Sequence, residues 1–190
     1  MTTVPKPPTL DSSKRIFLKK TTFMSAAFIA TTTGAWLGLK NEQKNRVSAQ
    51  FWQTMVEDLQ GKPWNLSRLQ GKPLIINFWA TWCPPCVHEL PEIEKFHFIW
   101  GSKGWQVLGL ALDSPKAVHA FLQKNSLQLP IAINHQNGLN TLRLLQNTPA
   151  GLPCTALISA EGDLIKIKNG PTTFLELQDW AHAHTGLISS

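Results

Sequence analysis

The sequence predicts an α/β domain built on a mixed central sheet with helices on both faces, preceded by a signal or anchor helix. Three observations lead there. Two nearly continuous apolar runs, residues 74–79 and 107–112, bracket a segment of helical period, the pattern of a right-handed parallel crossover. Further on, residues 155–159 and 164–168 flank the turn Ala160-Glu161-Gly162-Asp163, an antiparallel hairpin that makes the sheet mixed. At the other end, nineteen uncharged residues, 21–39, lie between Lys20 and Lys40.

A chain of 190 residues suits one domain with an appendage, and 43% apolar content is ordinary for a globular core. The net charge of +6 is unevenly placed: residues 1–49 carry eight Lys/Arg against two Asp/Glu, whereas residues 50–190 carry ten of each. The domain itself therefore has no basic excess, which removes the main support for nucleic-acid binding. Three cysteines are too few for a disulfide-stapled scaffold, and a domain of this length buries a core without one.

Residues 1–20 read as a disordered basic leader, rich in Pro, Thr and Ser at first and then carrying Lys14, Arg15, Lys19 and Lys20. Residues 21–39 form the signal or transmembrane segment; as a helix they span about 28 Å, close to the roughly 30 Å hydrocarbon thickness. Five Thr, one Ser and two Gly make this stretch more like a signal sequence than an anchor packed in lipid. Ser13-Lys14-Arg15-Ile16-Phe17-Leu18-Lys19 resembles the twin-arginine export motif with Lys for the first Arg, and general export or a signal anchor fits as well. In the linker 40–50, Val47-Ser48-Ala49 offers small residues for cleavage before Gln50, yet seven residues separate it from the apolar run, so cleaved and retained forms both fit. Either form places the domain, residues 51–190, in the periplasm or its equivalent, where disulfides persist.

Within the domain, the turn chemistry of Asp58-Leu59-Gln60-Gly61-Lys62-Pro63 predicts a strand pair over residues 51–69. Residues 74–79 have the unbroken apolarity of a central strand buried on both faces. The following helix carries Leu90, Ile93, His97 and Trp100 on one stripe; Pro84 and Pro85 open it, and Pro91 is expected to kink it. A loop at 101–104 leads to the strand 107–112, and Asp113-Ser114-Pro115 then starts a helix running to about Lys124. A short strand at 130–133, a helix at 138–145 and the hairpin come next. The last helix has Phe174, Leu177 and Ala181 on one stripe and ends near Gly186.

Trp82-Cys83-Pro84-Pro85-Cys86 falls at the strand-to-helix junction. There Cys83 meets unpaired N–H groups and the positive end of the helix dipole, where a thiolate is stabilised. A structural zinc site needs four ligands, and the remaining cysteine, Cys154, has no nearby His pair to complete one. Haem attachment needs His directly after Cys86, where Val87 stands. An inert buried disulfide is the bland alternative, but the junction is expected to be exposed, which favours thiol–disulfide exchange. In that chemistry Cys83 attacks and Cys86, one turn into the helix and shielded, resolves. His88 and His97 read as surface or partly packed side chains, and Trp79 and Trp82 as flanks of the partner-binding surface.

The run Asn77-Phe78-Trp79-Ala80-Thr81-Trp82-Cys83-Pro84-Pro85-Cys86, with Glu89, Pro91 and later Gly151-Leu152-Pro153, resembles the TlpA/ResA-like thiol-disulfide oxidoreductases of the thioredoxin superfamily. The resemblance covers roughly residues 51–190 and implies a thioredoxin-like fold with no cofactor and no metal. It implies that Pro153 follows a cis peptide bond and lies against the active-site sulfurs, where neighbouring backbone can pair with an extended substrate. It also implies that Glu89 sits near the cysteines, raises thiol pKa values and relays a proton to Cys86, the bland alternative being an ordinary solvent-facing helix charge. Asn77 departs from thioredoxin proper, which has a buried aspartate at the matching point, so proton handling falls on Glu89 or water.

The expected function is an exported disulfide reductase that takes electrons from a membrane donor and passes them to oxidised protein thiols, apocytochrome c being a family-typical target. A disulfide-forming oxidant and a copper-delivery module using the same cysteines are the alternatives. A thiol peroxidase fits poorly, because Ala80 stands where such enzymes place Thr or Ser. Cys154 reads as an inert core thiol, with the sharper alternative that it traps Cys83 or glutathione under oxidation.

Overall fold

The structure, a computed structural model, describes residues 45–145 and 150–188. The expected leader and signal or anchor segment, residues 1–39, lie outside the described residues. Among the described residues no helix is long and apolar enough to cross a membrane.

A short helix α1 (Ala49–Trp52) precedes the strand pair β1 (Met55–Glu57) and β2 (Pro63–Asn65), followed by a 3-10 turn at Leu66–Leu69. Next come β3 (Leu74–Trp79), α2 (Pro84–Gly101), β4 (Gln106–Ala111), α3 (Pro115–Lys124), β5 (Ile131–Ile133) and α4 (Gly138–Arg143). The chain closes with the hairpin β6 (Cys154–Ile158) and β7 (Leu164–Asn169) and the helix α5 (Phe174–Ile188). The strands form one sheet in the order β2-β1-β5-β4-β3-β6-β7. The β3–β4 and β4–β5 pairs are parallel, while β3–β6, β6–β7, β1–β2 and β1–β5 are antiparallel, so the sheet is mixed as expected.

Alternation along the strands divides the interior into two cores. Ile75 and Trp79 of β3, Val107 and Ala111 of β4 and Leu157 of β6 face α2, α3 and α5. Leu74, Ile76 and Phe78 of β3, with Leu108 and Leu110 of β4, face α1 and α4 on the other side. Every residue of β3 is buried, because the strand is covered on both faces.

Local signals account for the boundaries. Asp58 Oδ1 accepts from the backbone N–H of Gln60 at 2.9 Å and of Lys62 at 2.8 Å, and Gly61 takes φ 76°, which closes the β1–β2 turn. Ser114 caps α3 by accepting from Ala117 N, with Pro115 in its first turn. The apolar stripe of α2 is corrected at one position: Phe96, 0% exposed, holds the place expected for His97, which is half-buried. The reason is aromatic packing, since the Phe96 ring stacks on Trp100 with centroids 5.6 Å apart and meets Trp105 edge-on. Helix α5 runs to Ile188, past the expected end near Gly186, and Trp180 joins Phe174, Leu177 and Ala181 in the core. Packing also begins before residue 51: Val47 is buried, its N–H donates to Gly162 O at 2.9 Å, and Ser48 caps α1.

Candidate active site

Strand β3 ends at Trp79, and residues 80–83 carry the chain to the start of α2. Asp113, at the end of the neighbouring strand, fixes this turn. Its carboxylate accepts from Thr81 N at 3.1 Å, from Thr81 Oγ1 at 2.5 Å and from Ser114 N at 2.7 Å. In the sequence Asp113 reads only as part of a helix start; its hold on Thr81 depends on β3 and β4 being parallel neighbours.

Cys83 is the N-cap of α2, with Pro84 and Pro85 behind it, and forms a disulfide with Cys86, the two Cα atoms 5.3 Å apart. Cys83 was expected to face solvent, and this is corrected: it is 5% exposed and Cys86 is 0% exposed. Both belong to the core between β3 and α2. The difference that remains makes Cys83 the more exposed of the two residues. Trp79, expected on the rim, is also corrected. It is 0% exposed and its ring lies against Phe121, since alternation from Ile75 turns it inward. Trp82, 67% exposed, lies at the surface next to Cys83.

The Leu152–Pro153 peptide is cis, as the resemblance implied. Pro153 is buried, its carbonyl accepts from Gly170 N at 2.9 Å, and Leu152 packs against the core that contains both cysteines. A groove of about 310 Å³ lies beside the site, lined by Trp82, Leu112, His135, Leu139, Arg143 and Leu152.

Glu89 lies near the cysteines, as the resemblance implied. One turn beyond Cys86 on the same helical face, it is 3% exposed rather than solvated. Its Oε1 accepts from Asn77 Nδ2 at 2.6 Å, and its Oε2 accepts from Thr172 N at 2.6 Å. Burial pushes its pKa from the ordinary 4.5 up to about 7; the Asn77 and Thr172 hydrogen bonds and Lys168 pull the other way, and Glu176 adds to the rise. Asn77, 0% exposed, also donates Nδ2 to Thr155 Oγ1 at 3.0 Å. The position that carries a buried acid in thioredoxin here carries the amide that holds the acid of α2.

Cys154 is buried in the opposite core with Phe78 and Ala156, so the sheet separates it from the dithiol. This supports the inert reading over a trapping role. His88, His119, His135 and His182 are exposed, and His184 is buried against Trp105. Among the described residues no group of three or more His, Cys, Asp or Glu is placed to hold a metal ion.

A mixed sheet with a Cys-x-x-Cys pair opening the helix after its central strand, and a cis-proline before the hairpin, defines a thioredoxin-fold dithiol protein. The chain belongs to the AhpC/TSA family, whose model matches residues 47–167, and within it to the TlpA/ResA-like thiol-disulfide oxidoreductases. It is 33% identical to thiol-disulfide oxidoreductase ResA of Halalkalibacterium halodurans over 129 residues, 67% of this chain and 71% of that one. Against ResA of Bacillus subtilis it is 32% identical over 127 residues, 66% of this chain and 69% of that one. A thiol:disulfide interchange protein of the thioredoxin family from Chlorobium tepidum superposes with a TM-score of 0.57 at 25% identity, covering 66% of this chain and 88% of that one.

Proposed function

We propose that the protein is an exported disulfide reductase that acts on protein disulfides through Cys83 and Cys86. One observation carries the direction: Glu89 is buried one turn from Cys86, and that burial pushes its carboxyl pKa up to about 7. At neutral pH its ionised form repels nearby thiolates and holds thiol pKa values up. A strong oxidant needs the reverse, a reduced form stabilised by a low thiol pKa.

In the reaction, the Cys83 thiolate attacks one sulfur of the substrate disulfide, forming a mixed disulfide and releasing the first substrate thiolate. Glu89, as carboxylate, takes the proton of the Cys86 thiol. Cys86 then attacks the Cys83 sulfur, the second substrate thiolate leaves, and the two electrons of the dithiol have reduced the substrate. A carboxyl group with pKa near ambient pH gives such a proton up again as readily as it takes it. Leu152, beside Pro153, offers its backbone to an extended substrate segment. Exposed Trp82 and the groove next to it receive the side chains of that segment.

Reduced dithiol is regenerated by a membrane electron donor. Export rests on the basic leader and residues 21–39, and the placement is periplasmic. Since Val47 and Ser48 take part in the fold, cleavage before Gln50 would remove packed residues, which supports an anchored form over a cleaved one. Cysteines of apocytochrome c, in cytochrome c maturation, are the substrate class the family resemblance favours. Ala80 speaks against peroxidase chemistry, and copper delivery gains no support, since among the described residues no third His, Cys, Asp or Glu is placed with the cysteines to hold a metal ion.

A redox titration of the Cys83–Cys86 couple tests the direction. The expected potential is near that of thioredoxin, about −270 mV, and a value near −120 mV would make the protein an oxidant instead.

A further inference from the structure

We propose that Asn77 is the positioning residue that sets the charge state of Glu89, its side-chain amide donating to the carboxylate and accepting from the carboxylic acid. The inference rests on the proposed function, in which Glu89 carries a proton, and adds what controls that proton.

Register places Asn77 at the crossing point of the site. On β3 it lies opposite Gly109 of β4 and Thr155 of β6, and alternation turns it to the side occupied by α2. Both hydrogens of its Nδ2 are used, one on Glu89 Oε1 at 2.6 Å and one on Thr155 Oγ1 at 3.0 Å. Its Oδ1 is buried and has no partner among the described residues. Buried acceptors are rarely left unused, so a spare one next to a titrating acid calls for an account.

The two forms of Glu89 need opposite partners. A carboxylate only accepts, whereas the acid has an O–H to donate. A half-turn of the Asn77 amide about its terminal torsion exchanges Nδ2 and Oδ1, bringing the spare acceptor to Glu89 Oε1. The same rotation presents Oδ1 to Thr155 Oγ1, whose O–H can turn to donate. The turned Nδ2 then lies where Oδ1 had no partner among the described residues, so the ionised form is the better held, but the amide can meet either form of Glu89 without a backbone shift. A carboxylate at position 77 could not, because two facing acids would share one proton.

The other groups facing Glu89 do not switch. The Thr172 N–H, in the connection before α5, is a fixed donor that favours the ionised form. Lys168 of β7 and Glu176 of α5 act on it with opposite sign and are paired with each other, so their effects offset in part. Among the influences that oppose burial, the Asn77 hydrogen bond is the largest.

Carbon NMR of the Glu89 carboxyl and nitrogen–proton NMR of the Asn77 side chain, followed against pH on the oxidised protein without substrate, test this. The Asn77 amide signals are expected to move with the same midpoint as Glu89. Asn77→Ala should raise that midpoint by about one unit, a tenfold change in the ionisation constant, for loss of one charge-assisted hydrogen bond. Asn77→Asp, which keeps the shape, should spread the titration into two steps. Asn77 signals that stay flat through the Glu89 titration in the unaltered protein would overturn the proposal, as would an unchanged midpoint in a folded variant. Since no exchange reaction is involved, a protein inactive towards disulfides would count against the proposed function and leave this result standing.

Discussion

Cys86→Ser is expected to leave a protein that captures disulfides and cannot release them. Cys83 still attacks, but no second thiol resolves the product, so mixed disulfides accumulate and turnover falls by on the order of a thousandfold or more. The assignment follows from position: Cys83 caps α2 and keeps 5% exposure, whereas Cys86 is inside the first turn with none. Cys83→Ser should lose the same turnover without forming adducts. Non-reducing electrophoresis with mass spectrometry reads both variants, and adducts on Cys83→Ser in place of Cys86→Ser would exchange the two roles.

The second large effect is on stability against pH. A carboxyl group whose pKa is 4.5 in the unfolded chain and about 7 when folded stays protonated in the native state through a window where the unfolded chain has released its proton. Stability from this group therefore falls as pH rises from about 4.5 to 7, and levels off above that. The separation corresponds to about 3 kcal/mol. Denaturant melts of the oxidised protein and of Glu89→Gln at pH 4 and pH 8 isolate it, because costs common to both pH values cancel in the comparison. The gap between the two proteins should change by about 3 kcal/mol, the unaltered protein losing ground at pH 8. A constant gap would mean that Glu89 is not held in the environment described.

Much of the fold is legible in the sequence because its strands announce themselves. The runs that form β3 and β4 are short and nearly continuous in apolar residues, the pattern of strands covered on both faces, and Ser114-Pro115 starts α3 where caps and prolines start helices. The dithiol is equally legible, since Cys-Pro-Pro-Cys at such a junction leaves few other chemistries. What the sequence hides is set by register and long-range contact. Thr172 reaches Glu89 across 83 residues, and Asn77 meets Thr155 across 78, so neither pairing has a local signal. The place of Trp79 has a simpler explanation: proximity to the cysteines points to the surface, whereas alternation from Ile75 turns it into the core. Cys83 reads as open from its place on the chain, while its burial comes from the core that β3 and α2 close around it.

The central claim, that Cys83 is the thiol through which the protein works, is tested most directly by brief alkylation of the reduced native protein, with mapping of the label and assay of disulfide reduction. The account predicts fast labelling of Cys83, loss of activity in proportion to that label, and no label on Cys154 until the protein is unfolded. Disulfide reduction that survives complete blocking of Cys83 would contradict it.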